Sequence, residues 1–112
     1  VEALKELNTK KTIVVIASTD MLHDPDYELV TKTDRQTLEK LVHLKLTEIT
    51  NEWTYSHQTF CGLLPVMAAA QFAQSQGSKE GILLKYRNTG DDFPESRGQW
   101  VVGYGSVIFT VP

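Results

Sequence analysis

His57 and Cys61 stand four residues apart, and this pair carries the sharpest chemical suggestion in the 112-residue sequence. On a helix that spacing puts both side chains on one face, where an imidazole can lower the thiol pKa and generate a thiolate nucleophile. A small thiol-dependent enzyme or redox protein using Cys61 and His57 is therefore one functional alternative. Against it, free cysteine is among the most buried residue types, and the preferred reading makes Cys61 a small core residue and assigns no catalytic residue.

A second group, Asp20, His23, Asp24 and Asp26, falls in one polar stretch after an apolar run. These ligand types suit a hard or borderline divalent ion. No recognised ligand spacing is present, however, and Asp24-Pro25-Asp26 is turn chemistry. The expectation is no metal and no cofactor, with this quartet as the alternative metal set. Asp91, Asp92 and Glu95 form a charge run whose default is a solvated tip. Glycine-rich phosphate motifs are absent, and Gly103-Tyr104-Gly105-Ser106 lies inside a strand pattern that does not precede a helix.

The elements that would position these groups follow from periodicity. Val1, Leu4 and Leu7 recur at helical spacing, and a β-branched run from Thr12 to Ile16 then predicts a strand apolar on both faces. A short edge strand is expected over 28–31. The stretch 33–53 gives two signals: Leu38, Leu41, Val42 and Ile49 share a helical face, whereas Val42, Leu44 and Leu46 alternate with polar residues. A helical turn over 34–39 and a strand over about 40–50 satisfies both; a continuous helix is the alternative. Pro65 and Gly77 then punctuate an Ala-rich helix over 63–76.

A β-hairpin over 81–87 and 99–111 closes the chain. Ile82, Leu84 and Tyr86 alternate onto one face. In the second strand the parity of bulky residues slips beyond the glycines, which predicts a β-bulge near 103–106 unless 101–109 is buried on both faces. The connection over 88–98 is too long for a tight turn and is expected to project as a mobile, largely acidic loop. The fold class is thus α+β in one domain over 1–112: a mainly antiparallel sheet, an N-terminal helix, a central helix and a C-terminal hairpin.

Composition narrows the function classes. A net charge of -3 with pI about 5.5 and no basic stripe disfavours nucleic acid. No apolar run reaches membrane-spanning length, which predicts a soluble protein without a membrane partner. One cysteine excludes an internal disulfide and fits a reducing compartment. Phe72 points away from the apolar face of its helix and, with Asp91, Asp92 and Phe93 of the long loop, makes a candidate interface for a protein partner or a homo-oligomer.

The order of elements, with 12–18 as early strand, 41–53 as the strand leading into the 63–76 helix, and 81–111 as hairpin, resembles small tail-terminator and minor tail proteins of long-tailed bacteriophages. The resemblance covers most of the chain as architecture and includes no diagnostic motif. It implies a non-enzymatic subunit of the cytoplasm or virion that assembles as a ring, commonly a hexamer, and caps a tail tube. A small-ligand-binding regulatory domain is the remaining alternative.

Overall fold

The computed structural model describes residues 1–112. Helix α1 (Glu2–Lys10) opens the chain, and α2 (Tyr27–Val42) follows the two-residue strand β1 (His23–Asp24). Asp26 starts α2, its side chain accepting a hydrogen bond from the Leu29 amide at 3.1 Å, which satisfies one of the free donors of the first turn. Val30, Asp34, Thr37, Leu38 and Leu41 then recur at three- and four-residue spacing on the buried face. The edge strand expected over 28–31 is the first turns of this helix.

The strand expected over 40–50 is likewise helical: α2 ends at Val42 and α3 spans Leu46–Glu52. Two bonds close the junction, the Lys45 amide to the Lys40 carbonyl at 2.9 Å and the Leu44 amide to the Leu41 carbonyl at 3.0 Å. This is a Schellman motif, with Leu44 in the left-handed region at φ 56°. Helix α4 (Leu63–Ser75) ends in the same motif, with Gly77 at φ 100° in the corresponding place. The glycine announces one stop in the sequence; the leucine conceals the other, and it is held there by packing against the main core.

That core gathers Met21, Leu38, Leu41, Ile49, Phe60, Val66, Met67, Ala70 and Tyr86 between the helices and one face of the sheet. Phe72 is 8% exposed and so is not the free aromatic expected of an interface. At its C-terminal end α4 meets α1, Asn8 Nδ2 donating to Gln76 Oε1 at 3.1 Å.

The fold class is α+β, with a three-stranded antiparallel sheet in the order β1, β3 (Val101–Phe109), β2 (Gly81–Asn88). The bulge exists, but on the other strand: Leu83 pairs with Val107 and Lys85 with Ser106, leaving Leu84 as the extra residue. Ile82 and Leu84 are consequently exposed, and on their strand the large buried side chain is Tyr86. Residues 12–17 are extended but belong to no strand. No helix is long and apolar enough to cross a membrane.

The 88–98 connection is anchored and not a free tip. It folds as a short helix, α5 (Thr89–Asp92), and a 3₁₀ turn (Pro94–Ser96). Asn88 and Asp91 make a reciprocal capping box, the Asp91 amide donating to Asn88 Oδ1 at 3.1 Å and the Asn88 amide to Asp91 Oδ2 at 2.9 Å. Asp91 also accepts from the Tyr27 hydroxyl, which holds its carboxyl below the usual range. Asp92 pairs with Arg87 on the surface, and the Arg97 guanidinium lies 3.7 Å over the Tyr27 ring. Of the residues assigned to an interface in this loop, Phe93 is exposed and the two aspartates are engaged within the chain.

Asp34 is fully buried and joins three segments. One oxygen accepts from the Leu22 amide at 3.3 Å and the other from the Tyr86 hydroxyl at 2.6 Å. Burial pushes its carboxyl up to about 6, against the lowering effect of the Tyr86 and Leu22 hydrogen bonds and the nearby His23. The folded-state value exceeds the unfolded one, so this group's stabilisation is complete below its unfolded pKa of 3.8 and is lost as pH rises through about 6. Denaturant titrations are expected to show wild type losing up to roughly 3 kcal/mol relative to Asp34→Asn between pH about 3.5 and about 7. A pH-independent difference between the two would rule out a protonated buried Asp34.

Candidate functional site

Two segments converge at the end of the sheet. The first leads into β1, which is pinned to β3 by the pairs His23 with Val102 and Asp24 with Val101, and by the Met21 amide donating to the Gly103 carbonyl at 2.9 Å. The second is the turn before α4. Its Cys61 amide donates to the Asp20 carbonyl at 3.1 Å, and its Gly62 amide donates to Thr19 Oγ1 at 2.7 Å. Trp53 holds the same turn from behind, donating from Nε1 to the Phe60 carbonyl at 2.7 Å. Gly62 fits this close approach because a Cβ there would crowd the Thr19 side chain.

These bonds bring Asp20, His23 and Cys61 together, with one carboxylate oxygen, one ring nitrogen and the sulfur all within 4.8 Å of one another. His23 Nε2 is central, 3.3 Å from Asp20 Oδ2 and 3.6 Å from Cys61 Sγ. The His23 ring meets Trp100 edge to face, at 6.0 Å between centroids and 89° between planes. Asp20 and His23 are half-buried and Cys61 is exposed, so the cluster opens to solvent. Local burial of the sulfur pushes the Cys61 thiol up, and the Asp20 carboxylate pushes it further.

Of the four residues in the alternative metal set, the structure unites Asp20 and His23. Asp24 and Asp26 serve the turn instead: Asp24 Oδ1 accepts from the Asp26 amide at 2.9 Å, and Asp26 caps α2. The imidazole beside Cys61 is His23, 38 residues away, while His57 lies in a small turn with backbone bonds to Thr54 in both directions. Cys61 as a companion of Asp20 and His23 was missed because no local spacing relates them.

The fold and site thus define an α+β domain with a mixed oxygen, nitrogen and sulfur donor cluster at one end of its sheet. A family model described as Memo-like protein matches residues 1–108, and the chain belongs to that family. It is 35% identical over 107 residues to a MEMO1 family protein of Methanococcus vannielii, covering 93% of this chain and 35% of that one. A MEMO1 family protein of Methanopyrus kandleri is 33% identical over 115 residues, covering 97% and 37%. One from Ignicoccus hospitalis is 31% identical over 116 residues, covering 99% and 39%. The chain therefore spans a little over a third of the length of these relatives. No solved structure matches it significantly.

Membership of this family overturns the likeness to phage tail proteins, and with it the ring-forming adaptor, the viral structural role and the virion. The likeness rested on the order of elements alone. Two of the four segments that carried it are not the strands it required, since 12–18 pairs with nothing and 41–53 is mostly helical.

The alkaline shift of Cys61 makes a specific expectation about reactivity. Iodoacetamide labelling at pH about 7.5 should be slower than for free cysteine and should speed up several-fold in Asp20→Asn, which removes one of the two causes of the shift. His57→Ala should leave the rate unchanged; a slower rate in that variant would restore the pairing of Cys61 with His57.

Proposed function

We propose that this chain holds a divalent metal ion between Asp20, His23 and Cys61. The observation that carries the reading is the convergence of three donor atoms within 4.8 Å from segments far apart in sequence, on backbone that both neighbours fix. The spacing supports it. Metal bonds of about 2.0–2.3 Å in tetrahedral geometry separate the ligands by roughly 3.3–3.8 Å, the range of the His23 to Asp20 and His23 to Cys61 distances, 3.3 and 3.6 Å.

One carboxylate, one imidazole and one thiol suit a borderline ion such as zinc or ferrous iron better than calcium or magnesium, which take oxygen ligands. Three protein ligands on an exposed rim leave a position for water or a substrate oxygen, the arrangement of catalytic rather than closed structural sites. An ion bound there acts as a Lewis acid and lowers the pKa of its water. The protein's own part is to present Nε2 between the carboxylate and the sulfur, with Trp100 against the ring edge and the Cys61 and Gly62 amides fixing the turn. Because the thiol is protonated without an ion, loading must release a proton from Cys61.

Cobalt(II) titration tests this directly. One equivalent should bind with a near-ultraviolet thiolate-to-metal band and proton release. Cys61→Ser should abolish the band, and His23→Ala should weaken binding by at least about tenfold, while Asp24→Asn leaves both unchanged. Binding of cobalt without a band that depends on Cys61, or no stoichiometric binding, would overturn the reading.

A further inference from the structure

Trp100 stands beside the donor cluster, against the His23 ring, and is 54% exposed. An indole is among the largest apolar side chains and is highly buried in most positions, whereas ligand sites are walled by aromatic groups set next to a few polar ones. Its place and its exposure are those of a wall awaiting a ligand.

The backbone that carries the indole is fixed on both sides. Before it, the Gln99 and Trp100 amides both donate to the Ser96 carbonyl at 3.0 Å, and the Gly98 amide donates to the Pro25 carbonyl at 2.8 Å, just past β1. After it, Val101 is fully buried and pairs with Asp24 of β1. The strand that carries His23 therefore also holds the segment that carries Trp100. A group positioned in this way loses little freedom when a ligand docks on it.

We infer that Trp100 is the specificity-determining wall of the proposed metal site, and that it selects ligands in which an aromatic ring adjoins the oxygen taken up by the ion. The inference rests on the metal reading. The distances fit it. The indole and imidazole centroids are 6.0 Å apart, and an ion about 2 Å beyond Nε2 lies within roughly 9 Å of the indole centroid. A ring joined directly to the coordinating group sits on the order of 5 Å from the ion, within reach of the roughly 4.5–7 Å separation of aromatic pairs. The edge-to-face contact with His23 uses one part of the indole and leaves the rest free. A ligand with a methyl group in place of the ring leaves that surface wet.

Cobalt(II)-loaded protein is titrated with benzohydroxamate and with acetohydroxamate, two probes that share a chelating group. The affinity ratio in favour of benzohydroxamate should fall at least about fivefold in Trp100→Ala, and Trp100→Phe should keep most of it. Both probes meet the same loaded protein, so the ratio cancels any change in metal affinity. With zinc in place of cobalt, the phenyl protons of bound benzohydroxamate should show nuclear Overhauser contacts to the Trp100 indole. An unchanged ratio in Trp100→Ala, bound benzohydroxamate without those contacts, or equal affinity for the cyclohexyl analogue would overturn the inference while an intact thiolate-to-metal band upholds the metal reading. A wild type without that band overturns both. If Trp100→Ala does not fold, the contacts to the indole in the wild type decide.

Discussion

A single buried carboxylate sets the geometry on which the remainder depends. Asp34 reaches from the middle of α2 to the Leu22 amide on one side and the Tyr86 hydroxyl on the other, so that helix, the residue leading into β1, and β2 share one acceptor group. Tyr86 in turn accepts from Asn88 Nδ2 at 3.0 Å, and the same amide donates to Thr31 Oγ1 at 3.0 Å, carrying the network back to α2. Room for the carboxylate exists only because β3 has no side chain at Gly103, where a Cβ would overlap the Asp34 oxygen. Hydrogen-bonded groups with little access to water are costly to leave half satisfied, so the network fixes one arrangement of its elements. Leu22 immediately precedes His23, and the chemical end of the sheet is therefore placed by this interior contact.

The sequence was most readable where backbone chemistry left a mark. Pro65 and Gly77 bracket α4 because one residue suits a first helical turn and the other a left-handed stop, and the hairpin strands lie close to where alternation placed them. The α2–α3 boundary had no such mark. Its stop is a leucine in a conformation that leucine rarely adopts, and Thr and Val residues through α2 lowered its apparent helical character. Packing of Val30, Leu38 and Leu41 into the core outweighs that propensity. The bulge was detectable as a slip in parity but not assignable to a strand, because an extra residue on either partner gives the same mismatch.

The site was half legible for a different reason. Asp20 and His23 are near neighbours and could be grouped by type, whereas Cys61 joins them only through the tertiary hydrogen bonds that dock its turn on Thr19 and Asp20. Helical spacing suggested His57 as its companion, but α4 begins only at Leu63, so neither residue lies on that helix. The error over family had a similar origin: an order of helices and strands is shared by many unrelated proteins, and only residue-level likeness distinguishes them.

The bulge at Leu84 has a bearing on solubility. β2 is an outer strand of the three, with an irregular backbone at Leu84 and the charges of Lys85 and Arg87 along it. A kinked, cationic border is a poor template for another chain, which guards this side against fibril-like accretion. The stretch around Val14 lies outside the sheet and has neither charge nor irregularity, so the molecule shields the β2 border and leaves Val14 and Ile16 bare.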